Sequence, residues 1–460
     1  MMALSELSEV VKGQLQGEDA TFAAVSTDTR TINPGDVFFA LRGERFNAAD
    51  FVAQAAEKGA AGVVVDAPVD IPVPQIQVAD TRIALADFAR AWRAQSDSKL
   101  IGITGSNGKT TVKELTAAIC RVAFGEDRVL ATQGNLNNDI GLPLTLLNLR
   151  DNHAVAVVEM GANRPDEIAF LAGIAAPDVA IVNNVARAHI EGFGSIEAVA
   201  QTKGQLLDNL GAEGTAVLNR DDAFFADWSA RAGAATIVSF GHHESADVRA
   251  ENIQPVVRRG APAFSFDLVT PDGRAAVALP LAGRHNVSNA LAAAAAAMAV
   301  GASLDDVTAG LATARSVPGR MRAFRHSSGA MIFDDAYNAN PDSVAAAIRT
   351  LAEFKGKAWL VLGDMGELGD EAVEMHRETG RLARESGAEA LFCIGELGRE
   401  IGAGFGPGAR WMKSMDELER ELRDELVPGR NVLIKGSRFM ALDRLVAALE
   451  ETPEGNEGEA

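Results

Sequence analysis

The chain has 460 residues, 47% hydrophobic and 23% charged, with Lys plus Arg 43 against Asp plus Glu 63 and a net charge of −20. That length exceeds a single core and implies roughly three domains of about 150 residues, while the acidic balance argues against nucleic acid as a partner and leaves phosphates to be met by local devices. Cys120 and Cys393, far apart and in apolar surroundings, read as reduced thiols of a cytoplasmic protein; the start MMALSELSEV is no signal peptide, and the apolar run Ala290 to Val300 is too short to insert in a bilayer.

Residues 1–98 carry their own strand and helix signals. Short strands are expected at Phe22 to Val25, Asp36 to Leu41 and Gly62 to Val65, with a helix at Ala48 to Lys58, an extended segment around Pro72 and Pro74, and a helix at Thr81 to Ala94. Gln95 to Lys99 reads as a linker. From 99 to 312, apolar runs alternate with helical stretches. Strands at 100–104, 154–158, 179–182, 215–218 and 236–240 suit a parallel sheet with covering helices; residues 246–280 then read as an antiparallel ribbon, and GRHNVSN opens a long alanine-rich helix. A second doubly wound unit occupies 313–450, with strands at 331–333, 358–362, 390–394 and 431–434. The tail 451–460 lacks apolar residues beyond its last alanine and reads as disordered. The fold class is α/β with three domains: a small N-terminal unit, a central phosphate-loop unit and a C-terminal Rossmann-like unit.

The stretch KLIGITGSNGKTT, Lys99 to Thr111, reads as strand, glycine loop and helix. Gly105, Ser106, Asn107 and Gly108 let backbone N–H groups close on phosphate oxygens, Lys109 adds charge, and Thr110 or Thr111 offers a hydroxyl to Mg²⁺. The glycine spacing departs from the strict phosphate-loop pattern, which has glycine where this chain has Ile103. Glu159 follows the next strand in VVEMGAN, where an acid can hold Mg²⁺ bound to nucleotide phosphates. His189, in NNVARAHIEGFGS, reads by itself as a structural histidine, and Lys203, in AVAQTKGQLL, as a surface lysine. Asn286 and Asn289 either cap the alanine-rich helix or contact a ligand. Arg320 and DDAYNANPDS, Asp334 to Ser343, form a dense polar cluster at the junction of the second and third units, where ligands favour domain interfaces.

Together these segments resemble the Mur ligase family of ATP-dependent amide-forming enzymes. The resemblance runs from STDTRTINPGDVFFALRGERF through GITGSNGKTTVKE, TQGNLNNDIGLPLTLL, VVEMGAN, AHIEGFGS and GRHNVSNALAA to DDAYNANPDS and VLGDMGELG, and the displaced glycine is the family's own variant. The last two segments look like those of the member that adds D-alanyl-D-alanine to UDP-N-acetylmuramoyl-tripeptide. The resemblance implies that Lys109 binds ATP phosphates, that Thr110 and Glu159 hold one Mg²⁺, and that His189 holds a second with a carbamate on Lys203. It implies that Asn286 and Asn289 face the base, and that Arg320 and Asp335 contact phosphate and ribose. Asn135 and Asn138 would lie near the reacting carboxyl, Tyr337, Asn338 and Asn340 around the dipeptide, and Thr29 and Arg30 at the UDP end. Asn47 to Asp50 depart from the family's Asp-Gly-His, which bears on the UDP contacts. A cytoplasmic monomer is expected, acting through an acyl phosphate with positioning and charge neutralisation rather than a catalytic triad. Three alternatives stand beside this reading. A sibling ligase would add a diamino acid; a folylpolyglutamate synthase is disfavoured by the N-terminal unit; a nucleotide switch is disfavoured by the absence of Asn-Lys-x-Asp.

Overall fold

The computed structural model describes residues 1–43, 48–258 and 260–450. Asn47 and the tail 451–460 lie outside them. Three large sheets organise the chain, beside a two-stranded pairing of Met2–Ala3 with Thr21–Phe22. The central one has nine strands, in the order Gly273–Leu279, Ala261–Thr270, Val248–Arg258, Thr236–Gly241, Thr215–Asn219, Val179–Val182, Lys99–Thr104, Val155–Glu159 and Val129–Ala131. The five strands expected in its parallel part are all present, joined at the edge by the unpredicted Val129–Ala131. The ribbon is not a separate module. Its first strand pairs in parallel with Phe240 and Gly241, and the next two run antiparallel.

Strict alternation along the central strands explains how both faces are covered. Leu100, Ala156, Val158, Ala180, Val182, Ala216 and Leu218 enter one buried cluster, whereas Ile101, Ile103, Val155, Val157, Val179, Ile181 and Val217 enter the other. The second face is covered by the alanine-rich helix Arg284–Ala299, in which every residue from Asn289 to Ala297 is buried and all but Asn289 and Leu291 are alanine. Small side chains let this helix lie close to its neighbour Lys109–Phe124, the helix that the glycine loop opens.

The first unit is built on a five-stranded sheet ordered Gln14–Gln16, Gln75–Gln77, Gly62–Val65, Val37–Phe39 and Val25–Ser26. The single strand expected at 22–25 is divided into Thr21–Phe22 and Val25–Ser26, because Ala23 N–H turns aside to Gly35 O at 2.9 Å. The expected helix at 48–58 begins as a 3-10 turn, Ala48–Phe51, before Val52–Glu57. The linker expectation for Gln95 to Lys99 needs correction. The preceding helix, Thr81–Ala94, is docked on the central unit through Arg93 Nε to Ala175 O at 3.2 Å, an ion pair from Arg93 to Asp178 and Trp92 Nε1 to Leu149 O at 3.2 Å. Phe88, buried among Phe22, Phe39 and Trp92, fixes the same helix to the first unit's own core with about 1.5–3 kcal/mol of burial. The connection is therefore a fixed splice.

The third sheet is ordered Arg322–Arg325, Met331–Asp335, Arg430–Lys435, Lys357–Leu362, Ala390–Ile394 and Ala409–Met412, parallel except for its first pair. Its four expected strands are present; Arg322–Arg325 and Ala409–Met412, short and polar, were not foreseen. Both cysteines are free and buried, and burial pushes each thiol up to about 12. Among the described residues no helix is long and apolar enough to cross a membrane.

Helix Leu304–Ala312 approaches the loop-bearing helix at Gly310, where an added Cβ would stand 2.5 Å from Ile119 Cα. Alanine normally gains about 0.5–1 kcal/mol over glycine within a helix, but here it meets backbone that cannot rotate away, and overpacking costs about 1–3 kcal/mol. The net sign is destabilising. Gly310→Ala should lower the urea midpoint at unchanged slope; an equal or higher midpoint would contradict the close approach.

Candidate active site

The glycine loop leaves the C-terminal end of strand Lys99–Thr104, the edge at which parallel sheets take ligands. Gly108 has φ +81° and caps helix Lys109–Phe124, and a Cβ there would strike the Asn289 and Asn183 amides. The first turn of that helix presents N–H groups that have no partner within the helix. Lys109 Nζ folds back over the loop, donating to Gly105 O at 2.7 Å and Ser106 O at 3.3 Å. Burial pulls its pKa down, Glu159 opposes that, and Arg320 adds to it.

Amides hold this loop open. Asn184, just past strand Val179–Val182, accepts the Ser106 N–H at its main-chain O and the Asn107 N–H at its side-chain Oδ1, both at 2.9 Å. Asn183 Nδ2 donates to Asn107 O at 2.9 Å and to Asn289 Oδ1 at 3.0 Å, and Asn289 Nδ2 donates to Asn286 Oδ1 at 3.0 Å. Asn286 Nδ2 in turn donates to Ala282 O at 2.7 Å. Asn286 and Asn289 therefore lie inside their helix, beneath the loop, and do not line the cleft above it.

Thr110 Oγ1 donates to Glu159 Oε2 at 2.9 Å, and Asn137 Nδ2 donates to Glu159 Oε1 at 2.7 Å. Glu159 is only 2% exposed, and its own N–H is taken by Thr132 Oγ1 at 3.0 Å. A hydroxyl and a carboxylate set beside a phosphate loop are hard oxygen donors of the kind that share Mg²⁺ with a nucleotide. Among the described residues there is no cluster of three or more His, Cys, Asp or Glu able to hold a metal by itself.

His189 has φ +57°, and the carboxylate of Glu367, from the third unit, lies against its Nδ1. Burial lowers the His189 pKa, Glu367 counteracts this, and Lys109 and Lys203 reinforce it. Lys203 is not a surface lysine: it is 2% exposed, its Nζ lies 5.9 Å from the Phe193 ring centre, and burial followed by Lys109 pulls its pKa well below the usual value. The amine is thus held toward its neutral form.

A cleft of about 1100 Å³ lies above these groups. Lys109, Thr110, Glu159 and His189 line it from the central unit, as do Asn135 and Asn138; the third unit contributes Arg320, Tyr337, Asn338 and Asn340. Asn340 caps helix Pro341–Ala352 and donates from Nδ2 to Asn107 Oδ1 at 2.8 Å, tying the third unit to the loop. Tyr337 is the chain's single tyrosine, and the Arg320 and Arg438 guanidiniums lie 4.3 and 5.5 Å from its ring centre. Asp335 is turned away from the cleft, accepting from Lys435 Nζ at 2.6 Å.

Family models match this layout in three blocks: Mur ligase family, catalytic domain, at residues 21–93; Mur ligase middle domain at 103–297; and Mur ligase, glutamate ligase domain, at 319–438. The chain is 42% identical over 454 residues to the UDP-N-acetylmuramoyl-tripeptide--D-alanyl-D-alanine ligase of Escherichia coli (strain K12), covering 98% of each. The chain belongs to the Mur ligase family. Among solved members of the family, MurF from Acinetobacter baumannii superposes with a TM-score of 0.90 at 35% identity, covering 97% of this chain and 98% of that one. MurF ligase from Thermotoga maritima in complex with ADP gives 0.82 at 28% identity, covering 93% and 97%.

Thr29 and Arg30 of the first unit stand apart from the cleft. Thr29 donates to Gln54 Oε1 at 2.6 Å, and Arg30 is an exposed partner of Asp28; neither lines the cavity, to which the first unit contributes Arg82, paired with Asp139 at 3.0 Å. Gly105, Thr111 and Lys203 also lie outside the lining, as do Asn286, Asn289 and Asp335. Sequence reasoning passed over Arg82, Asn137, Asn183, Asn184 and Glu367. The paired amides after strand Val179–Val182, and a carboxylate inside VLGDMGELG, were the available signals.

The segment carrying Glu367 is pinned by His376, which accepts the Met365 N–H at Nε2 at 2.9 Å while its Nδ1–H donates to Ala372 O at 2.6 Å. That pattern needs the neutral ring, and burial lowers its pKa below 6.5. The unfolded chain therefore binds more protons as pH falls through that range, so the stabilisation is present above about pH 6.5 and lost below it. His376→Gln should flatten the fall in urea stability between about pH 7.5 and about pH 5.5; an unchanged slope would remove His376 from the account.

Proposed function

We propose that this chain is an ATP-dependent carboxylate–amine ligase that adds D-alanyl-D-alanine to UDP-N-acetylmuramoyl-tripeptide, in the cytoplasm, as a monomer, during synthesis of peptidoglycan precursors. The observation that carries the chemistry is the Thr110–Glu159 pair beside Lys109, in a cleft roofed by the third unit. Full-length likeness to ligases of that name supports the choice of substrates.

Residues 1–98 would hold the UDP end, with Thr29 and Arg30 as contacts; 99–312 the ATP; and 313–450 the dipeptide, around Tyr337, Asn338 and Asn340. The substrate carboxylate takes the γ-phosphoryl group of ATP, the dipeptide amine attacks the acyl phosphate, and phosphate leaves. Lys109 and the first-turn N–H groups neutralise and align the polyphosphate. Asn135 and Asn138 stand at the opposite wall, near the acceptor carboxyl. Arg320 meets phosphate from the third unit, and Asp335, held by Lys435, accepts the Met321 N–H next to Arg320. Asn286 and Asn289 serve the nucleotide through the loop they brace. Thr110 and Glu159 are suited to hold one Mg²⁺; His189 and a carbamate on Lys203, formed when the neutral amine adds CO₂ and loses a proton, are suited to a second. Such ions supply positive charge where negative charge builds on the transferring group. Roofing the cleft keeps water from an acyl phosphate that it would hydrolyse.

Phosphate release from ATP should require both UDP-N-acetylmuramoyl-tripeptide and D-alanyl-D-alanine, and Lys109→Ala or Glu159→Ala should lower it by about two orders of magnitude or more with an unchanged melting curve. Release with a free diamino acid and the dipeptide precursor would point to a sibling ligase; indifference to both substrates would sink the reading. For Lys203, enzyme stripped of CO₂ should regain activity on adding bicarbonate. No response, together with an unmodified lysine by native mass measurement, would leave Lys203 as a buried amine only.

A further inference from the structure

A second cavity, of about 460 Å³, lies at the other end of the third sheet from the active cleft. One wall is the ribbon of the central sheet, with Val256 and Pro262; the other is formed by Met331, Asn431 and Arg430, at the beginnings of their strands. Phe354 closes the floor. Its ring stands 5.9 Å from Phe264 of the ribbon and 5.8 Å from Phe333 of the third sheet, so the cavity sits on the aromatic joint between the two units.

Its charge is unlike that of the rest of the chain. In a protein of net −20, the lining carries Arg325, Lys355 and Arg430 against a single carboxylate, Glu353, which Arg284 already holds at 2.9 Å. Lys355 is exposed and appears in none of the ion pairs among the described residues. Arg430 is stacked 3.8 Å from the Trp359 ring centre and pairs with Glu425 through Nη1. Apolar walls joined to an excess of cationic side chains are the setting in which a concave site holds an amphipathic anion.

We propose that this cavity binds a small amphipathic anion, an apolar body lying against Val256, Pro262, Phe354 and Met331 with one negatively charged head among Lys355, Arg325 and Arg430. The ligand touches both units and is separate from the nucleotide site. The probe is 8-anilinonaphthalene-1-sulfonate, an aromatic body with one sulfonate, compared with the neutral N-phenyl-1-naphthylamine. The full chain should bind one sulfonate probe, undisplaced by saturating ADP, and about tenfold more tightly than the neutral one. Lys355→Glu should weaken the sulfonate by about tenfold and leave the neutral probe unaffected; Met331→Trp, which fills the cavity, should weaken both, with ADP binding intact in each variant. Displacement of the probe by ADP, or equal affinity in both variants and the parent, would overturn the proposal. Because binding rather than turnover is read, this result is independent of the reaction proposed above.

Discussion

A loop that waits for a polyphosphate must keep its shape when nothing fills it. Acids in contact with it would repel the ligand, and further cations would occupy the place meant for it. Here the bracing falls to asparagine: Asn183, Asn184, Asn289 and Asn340 each supply a neutral donor, acceptor or both to the Asn107 region. An amide side chain can satisfy a backbone N–H and a C=O at once without adding net charge. The cationic work is then left to Lys109 and the helix N-terminus, and Glu159 is paired with Thr110 and Asn137.

The two outer units are attached by different physics. The first is welded on through apolar burial, since Phe88 and Leu85 share one cluster with Leu146 and Leu171 of the central unit. The third meets the loop side of the cleft largely through polar contacts: Asn340 on Asn107, Asp342 on Arg187, and Glu367 beside His189. The Arg187–Asp342 pair is 40% and 38% exposed, so solvent screening leaves it worth about 0–1 kcal/mol. Contacts of that size can be made and broken within a catalytic cycle, whereas the core of the first joint cannot. On its far side the third unit is held by Phe354 against Phe264 of the ribbon, so its loop-side contacts are the weaker part of its attachment.

Much of this was legible in the chain. Uninterrupted apolar runs such as Ala154 to Val158 announce doubly covered strands, and glycines followed by Lys109 announce the phosphate loop. Elements with weaker apolar content, such as Arg322–Arg325 and Ala409–Met412, escaped because they lie at sheet edges where burial is incomplete. Lys203 was misread because a single lysine in an amphipathic stretch carries no mark of its depth; only the packing around Phe193 removes it from water. Asn183 and Asn107 are 76 residues apart, and Glu367 reaches His189 across two sheets. Partnerships of that kind are properties of topology, and no local spacing encodes them.

The chain's lone tyrosine sits in the cleft, flanked by Arg320 and Arg438 of its own unit. Isotopic labelling of tyrosine alone would therefore place one spectroscopic reporter at the roof of the site, with no second signal to resolve from it. Whatever enters the cleft or lifts its roof must alter the ring current and charge that this one nucleus feels, so the protein carries its own single-channel gauge of occupancy.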